Sequence, residues 1–308
     1  MVDISIVVPA YNEAESFPEL LSQIQEAVAP MNMSLEVIIV DDGSNDGSVE
    51  VLKSLKEKYP FLKVLSFRKN YGKSAALSEG FKIVQGNYVI TMDADLQDDP
   101  HEIPNLIAKL EEGYDLVSGW KKKRHDPLSK TIPSRLFNFV TSRITGIRIH
   151  DFNCGLKAYR QQVVKDMTVY GELHRFLPVL AHWNGFRVGE IVVQHHPRKY
   201  GKTKFGITRF FNGFFDLMTV LFITRYKSTP LHIFGMLGLL TSFVGIAIEL
   251  YLTVGWFTGE RIRNRPLFFL GILTIIVGIQ FFVFGLIGEM ISAHFAERVE
   301  YSIKEKIE

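Results

Sequence analysis

Two long apolar runs near the carboxyl end constrain this 308-residue chain more than any other feature. Residues 233–248 are apolar, and the run continues past Glu249 to Phe257. Residues 267–287 are apolar apart from Gln280 and scattered Thr and Gly. A helix that crosses a bilayer needs roughly 20 apolar residues. Both runs qualify, and only the short stretch 258–266 separates them. The pattern predicts a transmembrane hairpin, with helices at about 231–257 and 266–290, occupying a second domain at 230–308. Glu249 falls inside one span, where it could pair with another subunit, and Glu289 falls near the end of the other, suited to the interface. Gly238 and Ser242, four apart on one helix face, permit close helix packing and hint at a homo-oligomer.

A hairpin returns the chain to the side on which it started. Arg261, Arg263 and Arg265 lie in the connecting loop, against Arg209, Arg225, Lys227, Arg298, Lys304 and Lys306 near the other ends. The balance of cations favours a cytoplasmic amino-terminal part. Residues 1–10 form too short an apolar run, and lack the basic start, for a signal peptide; they read as a strand entering a core.

Residues 1–229 alternate strand and helix signals. Strands are expected at 4–8, 35–40, 63–67 and 88–92, and helices at 15–28, 48–59 and 74–84. A β-α rhythm with continuous apolar strands predicts a mostly parallel, Rossmann-like α/β sheet covered by helices. Ligands of such sheets sit beyond the carboxyl ends of the strands. Polar residues collect there: Asn12 and Glu13, then Asp41 and Asp42, then Asp93 and Asp95.

Charge is uneven. Residues 121–148 hold eight Lys/Arg and one acid, Asp126; residues 198–227 hold seven Lys/Arg and one acid, Asp216. The net charge of +2 hides these two stretches, which suit an anionic surface or substrate. Residues 131–147 (Ile132, Leu136, Phe137, Phe139, Val140, Ile144) and 205–222 (Phe210, Phe211, Phe214, Phe215, Leu221) read as amphipathic helices in a membrane interface, against the alternative of packing on the domain. The single cysteine, Cys154, excludes an intrachain disulfide and reads as a packing residue.

Asp93-Ala94-Asp95, with Gln97, ends an apolar strand. Two carboxylates so close repel one another unless a cation intervenes. A hard divalent ion held by carboxylates and substrate phosphates satisfies them, and would neutralise a leaving diphosphate. Residues 8–13, Val-Pro-Ala-Tyr-Asn-Glu, and 40–48, Val-Asp-Asp-Gly-Ser-Asn-Asp-Gly-Ser, supply aromatic and acidic groups for a nucleoside, although each alone reads equally as a turn.

Together, in this order and spacing, these segments resemble the inverting glycosyltransferases of GT-A fold. Residues 121–127, 134–138 and 151–155, with the hairpin, are similar to the polyprenyl-phosphate branch, which includes dolichyl-phosphate mannose synthases and bacterial prophage-type undecaprenyl-phosphate glucosyltransferases. The resemblance implies a membrane enzyme with its catalytic domain in the bacterial cytoplasm, a nucleotide-sugar donor, a polyprenyl-phosphate acceptor and Mg²⁺ or Mn²⁺. It implies that Pro9, Tyr11, Glu13, Asp41 and Asp42, with Ala94 and Lys121, hold the nucleotide-sugar. It assigns the metal to Asp93, Asp95 and Gln97, and the acceptor phosphate to Arg135, Arg198, Thr203 and Lys204. Asp151 joins Asp93 and Asp95 as a catalytic carboxylate. Mannose synthases tend to carry Arg where Lys121 stands, and the two cations are not equivalent on phosphate. That departure points from GDP-mannose toward UDP-glucose, with mannose, N-acetylhexosamine and modified pentoses as alternatives. A processive polysaccharide synthase would carry further membrane helices and a Gln-x-x-Arg-Trp segment. A scaffold would not need acids at three strand ends, and a nucleic-acid binder would need neither the hairpin nor an acidic cleft.

Overall fold

The computed structural model describes residues 2–122, 128–171, 173–200, 218–219, 230–259 and 266–296, without the side chains of 128–133, 135, 136 and 293–296. Thr203, Lys204 and most of the expected helix at 205–222 lie outside the described residues, as do the loop arginines 261–265. The chain forms two compact units, Met1–Leu217 and Met218–Glu308.

The first unit is built on a seven-stranded sheet. Its strands are β1 (Ile4–Ala10), β2 (Leu35–Asp41), β3 (Leu62–Ser66), β4 (Tyr88–Thr91), β5 (Leu116–Trp120), β6 (Lys157–Arg160) and β7 (Val188–Val192). Their order is β3-β2-β1-β4-β6-β5-β7. β1 pairs parallel with β2 and β4, β2 with β3, and β5 with β7. Only β6 runs against its neighbours, with Thr91 of β4 opposite Lys157. The helices are α1 (Phe17–Val28), α2 (Ser48–Lys58), α3 (Lys73–Ile83), α4 (Ile103–Glu111), α5 (Leu128–Thr145), α6 (Gln161–Asp166) and α7 (Leu177–Trp183).

Both faces of the sheet are covered, because successive strand residues point to opposite sides. Ile6, Val8, Val37 and Ile39 pack with Phe17, Leu20, Leu52 and Leu106 of α1, α2 and α4. Val7, Ile38 and Val40 pack with Leu77, Phe81, Val163 and Leu177 of α3, α6 and α7. Each such fully buried aliphatic side chain contributes about 1.5–3 kcal/mol. α3 approaches β1 so closely that a Cβ on Gly80 would lie 2.4 Å from Val7 Cγ1.

One polar cluster is enclosed at the amino ends of the strands. Glu36, 2% exposed, accepts from Ser5 Oγ at 2.5 Å, from Lys63 Nζ at 2.6 Å and from the Gln85 N–H at 2.7 Å. Burial works against its charge, but these donors prevail and hold its carboxyl below the ordinary range.

α5 lies where the expected interfacial helix at 131–147 was placed. Part of it packs on the domain: Asn138, Thr141 and Thr145 are buried, and Phe137 meets Phe176 at 5.6 Å. Phe139, 65% exposed, leaves the opposite side apolar.

The second unit contains α8 (Pro230–Phe257) and α9 (Pro266–Ala296), both long and apolar enough to cross a membrane. Their large side chains, such as Phe243, Phe257 and Phe269, are exposed, while glycines form the seam. A Cβ on Gly238 would lie 2.6 Å from Gly278 O, and one on Gly245 would lie 2.7 Å from Gly271 O. Without bulky side chains the two backbones come into direct contact, the arrangement by which helices associate in lipid. Gly238 and Ser242, read from the sequence as a hint of oligomers, are thus used within the hairpin: a Cβ on Gly278 would lie 2.2 Å from Ser242 Oγ. Glu249 likewise lies against Gly271 of the same hairpin, not set apart for a second subunit. Glu289 accepts from the Leu231 N–H at 3.2 Å, satisfying one of the free donors at the start of α8.

Candidate active site

Every loop that carries a predicted site residue within the described range emerges at one edge of the sheet. β1, β2, β4, β5 and β7 end there. The reversed strand β6 begins there, so the turn before it, residues 151–156, enters the same space.

The loops are tied to one another by short polar side chains. Asn12, at φ 59°, donates its N–H to Ser44 Oγ at 2.8 Å and accepts from the Asn45 N–H at 3.0 Å. Asp41, wholly buried, accepts from Ser66 Oγ at 2.8 Å. Asp42 clamps the next loop, accepting from the Tyr71 N–H at 2.7 Å and the Gly72 N–H at 2.9 Å. Gly43 has no room for a side chain, since its Cβ would lie 2.5 Å from the Lys69 carbonyl carbon. Asp41 and Asp42, expected at the nucleoside, therefore also order the cleft wall. Tyr11 follows β1 at this edge, half-buried. Pro9 lines the recess described below.

Beyond β4 the carboxylates gather. Asp93 pairs with Lys73, the first residue of α3. Burial raises the Asp93 carboxyl, but Lys73, helped by Lys121 and Lys157, holds it down at about 2. Asp95 has less help: burial, then Asp93 and Asp98, push it up to about 6. Its Oδ1 accepts from the Gln97 N–H at 3.2 Å across Leu96, which sits at φ 59°, a strained backbone of the kind that gathers at functional sites. Glu13 pairs with Arg198, yet burial pushes it up to about 7. Arg198 also lies 3.8 Å from Asp95, so it bridges the acids of β1 and β4. It reaches them because residues 193–200 are docked on the Asp95 loop, with the His196 N–H on Gln97 O at 2.9 Å.

Lys121, at the end of β5, meets the buried Asp98 at 2.7 Å. Burial disfavours its charge, but Asp98 more than compensates and raises its pKa above the ordinary value. Ala94 is buried in the apolar core beneath the acids. Asp151 is 1% exposed and accepts from the Asn153 N–H at 3.1 Å, which shapes the turn before β6. Within that turn Gly155 is confined: a Cβ would lie 2.7 Å from Asp93 Oδ2 and 2.8 Å from Asp98 Oδ2. Cys154 is buried, its thiol pushed up to about 12 by burial, which suits a packing role. The Arg135 side chain lies outside the described ones; its backbone belongs to α5.

Sequence reasoning did not single out Lys73, Asp98, Asn153, Lys157 or His174. Two had local signals. Lys73 follows Gly72 at a helix start beyond a strand, and Asp98 stands inside the same acidic run as Asp93. The others come from the reversed strand and from a turn before α7 that sequence alone does not place.

Asp93 and Asp95 offer hard oxygen donors, and the raised Asp95 and Glu13 mark negative charge that the local cations leave incompletely offset. These residues fit a divalent ion. Among the described residues no group of three or more His, Cys, Asp or Glu forms a complete cage. Magnesium-type sites that share their ion with substrate phosphates commonly supply only one or two carboxylates. Gln97, expected as a third ligand, instead directs its amide to the His196 carbonyl at 3.4 Å.

A mostly parallel Rossmann-like sheet, with paired carboxylates after β4 and a clamped loop after β2, defines a glycosyltransferase of GT-A type. Solved structures share this fold. One is the glucosyl-3-phosphoglycerate synthase from Mycobacterium tuberculosis, in complex with Mn²⁺, UDP and phosphoglyceric acid. It is 16% identical, with a TM-score of 0.55 over 72% of this chain and 78% of that one. Mannosyl-3-phosphoglycerate synthase from Rubrobacter xylanophilus is 15% identical, with a TM-score of 0.56 over 71% and 74%.

Residues 5–168 match the model of glycosyl transferase family 2, and the chain belongs to that family. Its relatives are polyprenyl-phosphate glycosyltransferases. The dodecaprenyl-phosphate galacturonate synthase of Rhizobium johnstonii is 37% identical over 297 residues, 94% of this chain and 88% of that protein. The undecaprenyl-phosphate 4-deoxy-4-formamido-L-arabinose transferase of Shewanella sediminis is 37% identical over 302 residues, 96% and 88%.

Proposed function

We propose that this enzyme transfers a sugar from a UDP-sugar to a polyprenyl phosphate, inverting the anomeric carbon, at the cytoplasmic face of a membrane. The observation that carries the reading is the meeting of Asp93 and Asp95 with Lys73 and Arg198 at the strand ends. Acids alone would repel a diphosphate, and cations alone would not recruit a metal. The mixture suits a donor that arrives with its own divalent ion. Asp93 and Asp95 would hold that ion, Mg²⁺ or Mn²⁺, which when bound offsets charge on the departing diphosphate. The curated relatives support the acceptor, and the M. tuberculosis neighbour, with its Mn²⁺ and UDP, supports the donor and ion.

The remaining chemistry follows from charge. A phosphate monoester has a second pKa of about 6, so the acceptor is largely dianionic near neutrality and needs no general base. Its oxygen bonds to the anomeric carbon as the bond to the UDP oxygen breaks. Lys73 holds Asp93 ionised and fixed. Arg198, drawn between Glu13 and Asp95, is placed for a donor phosphate. Arg135, Thr203 and Lys204 are assigned to the acceptor phosphate. Asp151 positions the turn that carries Gly155. The donor sugar is a hexose, either glucose or its C6-oxidised uronate, the second favoured by the galacturonate relative.

The test is an acceptor comparison. Purified protein in detergent, with Mn²⁺ and UDP-sugars, is offered undecaprenyl phosphate, undecaprenyl diphosphate or undecaprenol, and lipids are read by mass spectrometry. The expected product forms with the monophosphate alone. Equal use of the alcohol would overturn the mechanism, which relies on a ready-made phosphate nucleophile.

A further inference from the structure

A small recess lies beside Asp93, lined among others by Lys73, Asn153, Gly155, Lys157 and His174. Its charge is not balanced. Lys73 is engaged with Asp93. His174 is kept neutral, its pKa pushed down to about 2 by burial and then by Lys73, with Nδ1 3.0 Å from Ser74 Oγ. That leaves Lys157, which β6 places opposite Thr91 and which is 2% exposed. An ammonium has three donors. Among the described residues this one has a single hydrogen-bond acceptor, the Cys154 carbonyl. Asp93 and Asp151 act on it only as more distant charges, and burial lowers its pKa. A buried cation without a carboxylate partner is costly, and such groups are usually paired. A second buried polar atom lines the same recess: Asn153 Oδ1, which has no hydrogen-bond partner.

A recess with one uncompensated cation and one unused acceptor calls for a ligand carrying one negative charge next to a hydroxyl. We infer that the recess receives a carboxylate borne by the donor sugar, so that the enzyme selects a UDP-hexuronate over a neutral UDP-hexose. Lys157 takes the carboxylate and Asn153 Oδ1 accepts a sugar hydroxyl. The inference rests on the transfer reading above and specifies its donor. The donor diphosphate is excluded from this place because Asp93 and Asp95 assign it to the metal. The acceptor phosphate is a poorer fit: a tetrahedral dianion on a lipid ester needs an open approach and several donors, and Lys157 offers a closed one.

The experiment compares UDP-glucuronate, UDP-galacturonate and UDP-glucose as donors to undecaprenyl phosphate with Mn²⁺, for the wild type, Lys157→Met and Asn153→Asp. A site built around a buried charge discriminates strongly against ligands that leave it unpaired. One uronate is expected to exceed UDP-glucose in kcat/KM by about 100-fold or more in the wild type. In Lys157→Met that ratio should fall below about tenfold, with a melting temperature equal to or above the wild type's, because an unpaired buried charge has gone. Asn153→Asp, which puts a carboxylate beside Lys157, should depress the ratio without relying on the folding of the first variant. A wild type that prefers UDP-glucose overturns the inference, as does a ratio untouched by either variant or a Lys157→Met defect confined to the KM for undecaprenyl phosphate. Each of these leaves the transfer reading standing. Absence of product from every donor overturns the transfer reading itself.

Discussion

Gly155→Ala puts the geometry of the site under direct strain. The added Cβ would lie 2.7 Å from Asp93 Oδ2, so the carboxylate must retreat by about 0.7 Å to regain an ordinary 3.4 Å contact. Backing away along the chain is difficult, because the Gly155 carbonyl is held by the Thr91 hydroxyl at 2.9 Å. Asp98 Oδ2, 2.8 Å from the new atom, closes the other side and is itself tied to Lys121. Overpacking of this kind costs about 1–3 kcal/mol. For a unit of this size that corresponds to a fall in melting temperature of roughly 2–10 °C. The functional loss should be larger than the stability loss suggests, since a displacement near 1 Å at reacting groups costs about 10²-fold. A fall in kcat/KM of roughly 10- to 100-fold is expected in the lipid-product assay, with an unchanged circular dichroism spectrum. Gly146→Ala is the control: its φ of +77° strains a side chain, but nothing lies within 4 Å, so activity should be kept. Gly155→Ala with activity within twofold of the wild type and an unchanged melting temperature would refute the placement of Asp93 and Asp98 around the turn.

Lys73→Met should raise the Asp93 pKa from about 2, because burial then acts with less opposition, and so move the acid limb of kcat/KM against pH upward; a limb that stays in place would remove Lys73 from the site. Glu36→Gln should cost about 1–3 kcal/mol near neutrality. Since the Glu36 pKa is lowered by folding, its contribution is present above the unfolded value and lost as pH falls through the folded one, so the melting-temperature gap between wild type and variant should close below about pH 4; a gap independent of pH would contradict the ionised pairing with Lys63. Gly278→Leu should lower the melting temperature in detergent by several degrees, since its Cβ would lie 2.6 Å from Ser242 N and 2.7 Å from Gly238 O, whereas Ile279→Leu on the exposed side should not; equal behaviour of the two would contradict the glycine seam.

Much of the molecule was legible because the controlling signals are local. The strands β1 to β4 are short apolar runs that end in acids, and their bounds fall within two residues of those read from sequence. The hairpin was legible from length and hydropathy. The glycine seam was only partly so: Gly238 and Ser242 stood out as small residues, but whether they face a partner helix of the same chain or another subunit depends on register, which spacing does not fix. The carboxylate half of the site was visible because Asp93 and Asp95 terminate a strand. The cationic half was not. Lys157 is a lysine in an otherwise apolar segment, and nothing in that segment shows that its strand runs backwards beside β4 and delivers it under Asp93. Arg198 was noticed for its basic motif and expected at the acceptor, but the docking of residues 193–200 on the Asp95 loop, which joins it to Glu13, is a long-range contact without a local signature.

The central claim is that the acids after β4 drive sugar transfer to a polyprenyl phosphate. The most direct measurement is formation of sugar-phosphoryl-undecaprenol by purified protein, from UDP-sugars with Mg²⁺ or Mn²⁺, beside Asp95→Asn. The account expects a metal-dependent, lipid-linked product from a UDP-sugar, reduced at least 10²-fold in Asp95→Asn although the variant folds. A folded wild type that binds UDP yet forms no such product, or an Asp95→Asn variant with wild-type activity, would contradict it.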